Sequence, residues 1–227
     1  LVVLAESLLS RSVTFNIFTK LHNIELLNKA IENIPLDIHV RIWPKETIDP
    51  TKLCRPCEVF LLPELHLTWA QSMRAMMHKA REEGEEWVGH CHDDCAIETE
   101  DLFKLIDATK TAPDNTYVVL SHHPTRPEYC AQVYILVNTK KYWDAGGHDV
   151  NFTLYWGDVD FEIRQKALGN QQYPVITPSV WHEGSATLKY NTDLHKAKHN
   201  IYFKADKEYL KLKHPQHAHL YGDFERH

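Results

Sequence analysis

The run His90-Cys91-His92-Asp93-Asp94-Cys95 sets two adjacent carboxylates directly after a histidine. Trp87 and Val88 before it, and Ala96 and Ile97 after it, are apolar. Glu98-Thr99-Glu100-Asp101 then puts acidic side chains at the start of the next helix, where they suit its positive end. The carboxylates therefore belong to a strand-to-helix turn. Hard oxygen ligands in such a turn suit magnesium or manganese, and an added imidazole moves the preference toward manganese or zinc. With nothing else joining them, the same residues are a solvated acidic turn.

Three further pieces follow. Asp144-Ala145-Gly146-Gly147-His148-Asp149 is a glycine-containing turn. Gly157-Asp158-Val159-Asp160-Phe161-Glu162-Ile163-Arg164 opens a helix with two aspartates. Val175 to Ser185 ends in Trp181-His182-Glu183. An aspartate at a helix opening can be poised as a general base, and Asp160 stands one turn from Arg164, which it can hold. Taken singly, Asp158 and Asp160 are carboxylates steadied by a helix dipole, and His182 is a core histidine. Their order after the acidic turn is what changes the reading.

The elements that must carry these residues alternate. Val13–Thr19 is a β-branched and aromatic run, Ile24–Ile31 has apolar residues at helical spacing, and Leu36–Trp43 alternates up to Pro44. That is a strand, a helix and a second strand parallel to the first by a right-handed crossover. Leu67–Arg81 carries Trp69, Met73, Met76, Met77 and Ala80 on one helical face, most simply a core face. Leu102–Ala108 is expected as a helix, and Tyr117–Leu120 and Gln132–Val137 as strands. The alternation predicts an α/β fold with a mainly parallel sheet flanked by helices. Ligands of such sheets bind at the carboxyl ends of the strands, where Thr19 and Asp93-Asp94 fall.

Composition sets outer limits. The 227 residues, 43% hydrophobic, can bury a full core as one large domain, or as one domain with an appended tail. A formal net charge of -6, without a long Lys/Arg run, argues against a nucleic-acid partner. No stretch approaches the roughly 20 apolar residues of a membrane span. Five cysteines are too few for a disulfide scaffold, so a reducing, cytoplasmic setting is expected. The sequence starts at Leu1, so other domains of a longer polypeptide are allowed. Cys54-Arg55-Pro56-Cys57 lacks the partners or context of a zinc or redox motif unless Cys91, Cys95, His90 and His92 complete it. No Gly-x-Ser-x-Gly elbow or phosphate loop is present.

In order and spacing, the pieces from Thr14 to Ser185 resemble the GT-A fold glycosyltransferases, especially the inverting family 2 type. The resemblance implies a Rossmann-like GT-A domain over residues 1–188, with 189–227 as a helical, polar extension. It implies transfer of a sugar from a nucleoside-diphosphate donor, expected to be a UDP-sugar, to a hydroxyl of a glycan or protein-glycan acceptor with inversion. Mn2+ or Mg2+ is the implied cofactor. His92-Asp93-Asp94 matches the family's acidic triplet: Asp94 would hold the metal, with His182 as a second ligand, and His92 and Asp93 would face the donor. Asp158 matches the catalytic base. Thr19 and Arg74 are candidate donor contacts. The sequence departs from the family in starting the triplet with His92, in placing Gly157 where an acid is common, and in ending the second strand with Trp43-Pro44-Lys45. The short domain also resembles transferase modules embedded in larger proteins, including those of large DNA viruses that glycosylate their capsids. A retaining enzyme on the same fold, a zinc-dependent hydrolase built on the His/Asp cluster, and a non-catalytic sugar or protein binding module that keeps the fold are the rival readings.

Overall fold

The structure is a computed structural model and describes residues 13–19, 24–44, 47–60, 68–125, 133–183 and 193–217. Nine strands are present among them: β1 (Thr14–Thr19), β2 (Val40–Pro44), β3 (Glu58–Val59), β4 (Trp87–His92), β5 (Cys95–Ala96), β6 (Thr116–His122), β7 (Tyr134–Asn138), β8 (Gln171–Ile176) and β9 (Trp181–His182). The helices are α1 (Ile24–Ile31), α2 (Trp69–Glu82), α3 (Thr99–Thr111), α4 (Thr139–Asp144), α5 (Gly157–Ala167) and α6 (Asp193–Lys213). Seven strands form one sheet in the order β3-β2-β1-β4-β7-β6-β8, and β5 pairs with β9 in a small second sheet.

The sheet is parallel except for β7, which runs antiparallel to both β4 and β6. The sequence between β6 and β7 has no helical repeat, so it offers no crossover of the kind a parallel return needs. The sheet's two faces carry separate cores. Phe15, Ile17, Leu27, Ile31, Leu105 and Leu136 pack on the side of α1 and α3. Met73, Met76, Met77, Val88, Tyr142 and Phe161 pack on the side of α2, α4 and α5. The methionine stripe of α2 is thus core, as its spacing suggests. Gly89 is required where the faces meet β1, since a Cβ there would lie 2.7 Å from the Phe15 ring.

The strand expected from Leu36 begins only at Val40. Ile38 N donates to Pro35 O at 3.0 Å, and the Arg55 guanidinium donates to the carbonyls of Ile34, Pro35 and Ile38. These bonds satisfy the backbone as a turn and leave it no ladder to join. α2 starts at a capping box, with Thr68 and Gln71 each bonding the other's backbone N–H.

Candidate metal and donor site

β4 delivers His92 at its carboxyl end, and the turn that follows carries Asp93 and Asp94. β5 then pairs antiparallel with β9, placing Cys95 opposite His182 and Ala96 opposite Trp181. Glu183 N donates to Asp94 O at 2.9 Å, closing the ladder. The outcome is convergence: one ligand atom from each of His92, Asp94 and His182 lies within 4.8 Å of the others. His182 Nε2 is 3.2 Å from Asp94 Oδ1, and the rings of His92 and His182 meet edge to face at 5.6 Å. Among the described residues this is the single group of three or more His, Cys, Asp or Glu side chains able to share a cation.

The ligand chemistry fits a divalent ion. Burial pushes the His92 pKa from 6.5 down to about 4, with His182 adding to the effect and Asp94 opposing it. The ring is therefore neutral at physiological pH and keeps a lone pair to give. Two imidazoles and one carboxylate suit manganese or zinc better than an all-oxygen set would. His90 lies one layer back, 2% exposed, with Nδ1 bonded to Asn16 O at 3.0 Å and its ring 5.6 Å from that of His92. Burial holds it neutral as well, at about 3.

β9 has two supports that the sequence did not announce. Asp101 Oδ2, in the first turn of α3, accepts from Ser179 Oγ at 2.6 Å and Ser179 N at 2.9 Å, and Ser179 Oγ accepts in turn from Glu98 N. Lys29 of α1 sits 3.5 Å from the centre of the Trp181 ring. Neither pair is adjacent in sequence or follows a motif, so no pattern could have found them.

The other expected site residues fall as follows. Thr19 ends β1, 3% exposed, one residue beyond Phe18, which pairs with His92. The ends of β1 and β4 therefore lie side by side. Asp93 occupies the turn between His92 and Asp94. Arg74 of α2 donates through Nη1 to Gly146 O at 2.8 Å and to His148 O at 3.1 Å, so it holds the glycine turn. Both glycines there have left-handed φ, +80° at Gly146 and +69° at Gly147, and a Cβ on Gly147 would meet the Tyr142 ring at 2.8 Å. Asp158 is half-buried in the first turn of α5, with Oδ1 accepting from Val159 N. Its neighbour Asp160 is wholly buried and bonded to Arg164, as the spacing suggests.

The cysteine alternative does not assemble. Cys54 is exposed and bonded to Asn28, whereas Cys91 and Cys95 are wholly buried beside Tyr134, with Cys95 Sγ donating to His92 O at 2.8 Å. Their thiols are core groups behind the turn.

No protein-family model matches the sequence, and no curated protein does. Solved structures do resemble it. Glucosyl-3-phosphoglycerate synthase from Mycobacterium tuberculosis, in complex with Mg2+ and uridine diphosphate, superimposes with a TM-score of 0.55 at 11% identity, over 83% of this chain and 78% of the other. The same synthase with Mn2+, uridine diphosphate and phosphoglyceric acid gives 0.56 at 13% identity, over 81% and 75%. TarS from S. aureus gives 0.50 at 14%, over 72% and 58%. At such identities the likeness shows the fold, which is the GT-A, Rossmann-like arrangement expected from the sequence.

Proposed function

We propose that the chain is a metal-dependent glycosyltransferase that moves a sugar from a nucleoside-diphosphate donor, UDP-linked, to an acceptor hydroxyl with inversion. The observation that carries the reading is the meeting of His92, Asp94 and His182 at the carboxyl end of β4, in a fold whose solved neighbours include a synthase crystallised with Mn2+ or Mg2+ and uridine diphosphate.

In this reading Asp94 and His182 hold the metal, with His92 beside them, and Thr19 and Asp93 line the donor side. Arg74 acts on the donor through the Gly146–His148 turn that it anchors. A bound divalent ion would supply Lewis-acid stabilisation of the charge that develops on the departing diphosphate. Asp158 takes the proton from the acceptor hydroxyl as the hydroxyl attacks the anomeric carbon, and the glycosidic bond to the diphosphate breaks on the opposite side. One displacement of this kind inverts the anomeric centre. A reducing, cytoplasmic compartment is consistent with the buried free thiols of Cys91 and Cys95. Among the described residues no helix is long and apolar enough to cross a membrane.

Calorimetric titration with UDP, and with GDP in parallel, tests the donor site in the presence of Mn2+ and again in EDTA. UDP binding that needs Mn2+ and disappears in Asp94→Ala is the expected result. The absence of binding by either nucleotide at millimolar concentration would sink the reading. The two-histidine, one-carboxylate set also suits a zinc-dependent hydrolase. That enzyme would turn over ester or amide substrates without any nucleotide, and the same titration separates the two. Anomer analysis of the product separates inversion from retention.

A further inference from the structure

Three backbone N–H groups just ahead of α5 converge on one carboxylate. Asp206 of α6, 3% exposed, accepts from Thr153 N at 3.0 Å, Leu154 N at 2.8 Å and Tyr155 N at 2.9 Å. Successive amides turned toward one point form an anion-binding concavity, and here a side chain from about fifty residues downstream fills it. The amides lead straight into Trp156, whose φ of 62° is left-handed, and then into Gly157 and Asp158. A tryptophan holds such a backbone conformation only where its surroundings impose it.

The far side of Asp158 is gripped by the last residue of the same helix and the one after it. Asp160 accepts from Lys213 Nζ at 2.8 Å and His214 Nε2 at 2.8 Å, in addition to Arg164. Along the same helix, Tyr209 packs against Phe152 at 4.9 Å, and Phe203 against Tyr155 at 5.3 Å and Trp156 at 5.4 Å. Apolar contacts of that kind suffice to dock a helix. Hydrogen bonds to a charged acceptor are directional as well as strong, so this carboxylate fixes geometry in a way that packing does not. Three amides aimed at two oxygens set the backbone angles of the segment far more narrowly than packing does.

From this arrangement we infer that α6 belongs to the active site, and that Asp206 is a positioning residue: through the amides of 153–155 it sets the backbone of Trp156–Asp158 and so aims the Asp158 carboxylate at the acceptor hydroxyl. The inference rests on Asp158 being the base of the proposed transfer.

The test uses the full chain with Asp206→Asn, and Glu208→Gln on the exposed side of the same helix as control. Asparagine keeps the shape but turns an N–H₂ toward amides that need an acceptor. Expected for D206N are Mn2+-dependent UDP affinity within about twofold of wild type and kcat lowered by at least about tenfold, as a misaimed reacting group implies. The acid limb of the kcat profile should also shift, and amide exchange should quicken at 153–155 with β4 unchanged. Wild-type kcat in D206N would overturn the inference, and so would kcat per total protein and the number of UDP sites falling together in proportion to the loss of folded protein. If D206N does not fold, Asp206→Glu carries the same comparison, because it keeps a carboxylate in the concavity but displaces it. A wild type that neither binds UDP nor transfers sugar overturns the Asp158 assignment instead, which distinguishes the two failures.

Discussion

His148 should make the protein lose stability on acidification through the range in which an exposed histidine gains its proton. Its ring is 3% exposed, lies 4.6 Å from Phe161 in a stack and 4.7 Å edge-on from Trp69, and shares the Tyr142 hydroxyl between its own backbone N–H at 3.0 Å and Nδ1 at 3.1 Å. Burial, with Arg164, His90 and Arg74 nearby, lowers its pKa from 6.5 to about 3, against the opposing pull of Asp160. A base with a depressed folded pKa binds fewer protons folded than unfolded between those two values, so stability rises with pH there and falls on acidification. From pH 7.5 to 5.5 the unfolded imidazole gains its proton while the folded one does not, which costs about 1.4 kcal/mol from this residue alone. His148→Gln keeps a polar partner for Tyr142 and removes the titration. Urea unfolding of both proteins at several pH values, in EDTA so that metal linkage does not enter, should give curves that diverge by about that amount, with the wild type losing more. Parallel curves would falsify the assignment of a buried neutral imidazole at 148, because His90 and His92 contribute equally to both proteins.

Gly147→Ala should destabilise by about 2 kcal/mol or more, since the new methyl both meets Tyr142 and occupies a left-handed φ of +69°; denaturant titration reads it, and a loss near zero would mean the turn yields. Ser179→Ala should leave the fold intact but weaken Mn2+ affinity by roughly tenfold, as loosening a group that orients a ligand does; spin-resonance titration of free Mn2+ measures this, and unchanged affinity would show that Asp101 and Ser179 do not steady His182. Saturating Mn2+ at about a hundred times its Kd should raise stability by about 2.7 kcal/mol in the wild type and not in Asp94→Ala; equal stabilisation of both would place the ion elsewhere. Asn16→Ala should cost about 1–3 kcal/mol, because the Trp43 indole N–H, now bonded to Asn16 Oδ1 at 2.9 Å, is left buried without an acceptor, an effect to be read by denaturant titration, with no loss indicating that water replaces the amide.

Local patterns in the sequence were enough for features in which neighbours along the chain decide the outcome. The β1-α1-β2 start, the core stripe of α2, the Gly146-Gly147 turn and the Asp160–Arg164 pair all depend on residues within a turn or a strand of one another. So does the placing of His92, Asp93 and Asp94 at a strand end, since an apolar run followed by polar residues and an acidic helix start has few other solutions.

Partnerships between distant segments were not legible. The direction of β7 depends on a connection whose sequence rules out a crossover without naming the strand's neighbours. The meeting of His182 with Asp94 depends on β5 and β9 pairing, and the sequence marked only their order. Arg74 reads as a candidate donor contact, and only the fold brings the carbonyls of Gly146 and His148 to it; Asp206 reads as one more charge on a polar helix until three amides face it. Residue type and spacing thus determined which groups could do chemistry and on which elements they stand. Which of them meet was decided by tertiary structure, because side-chain hydrogen bonds and strand pairings across long separations leave no period in the chain.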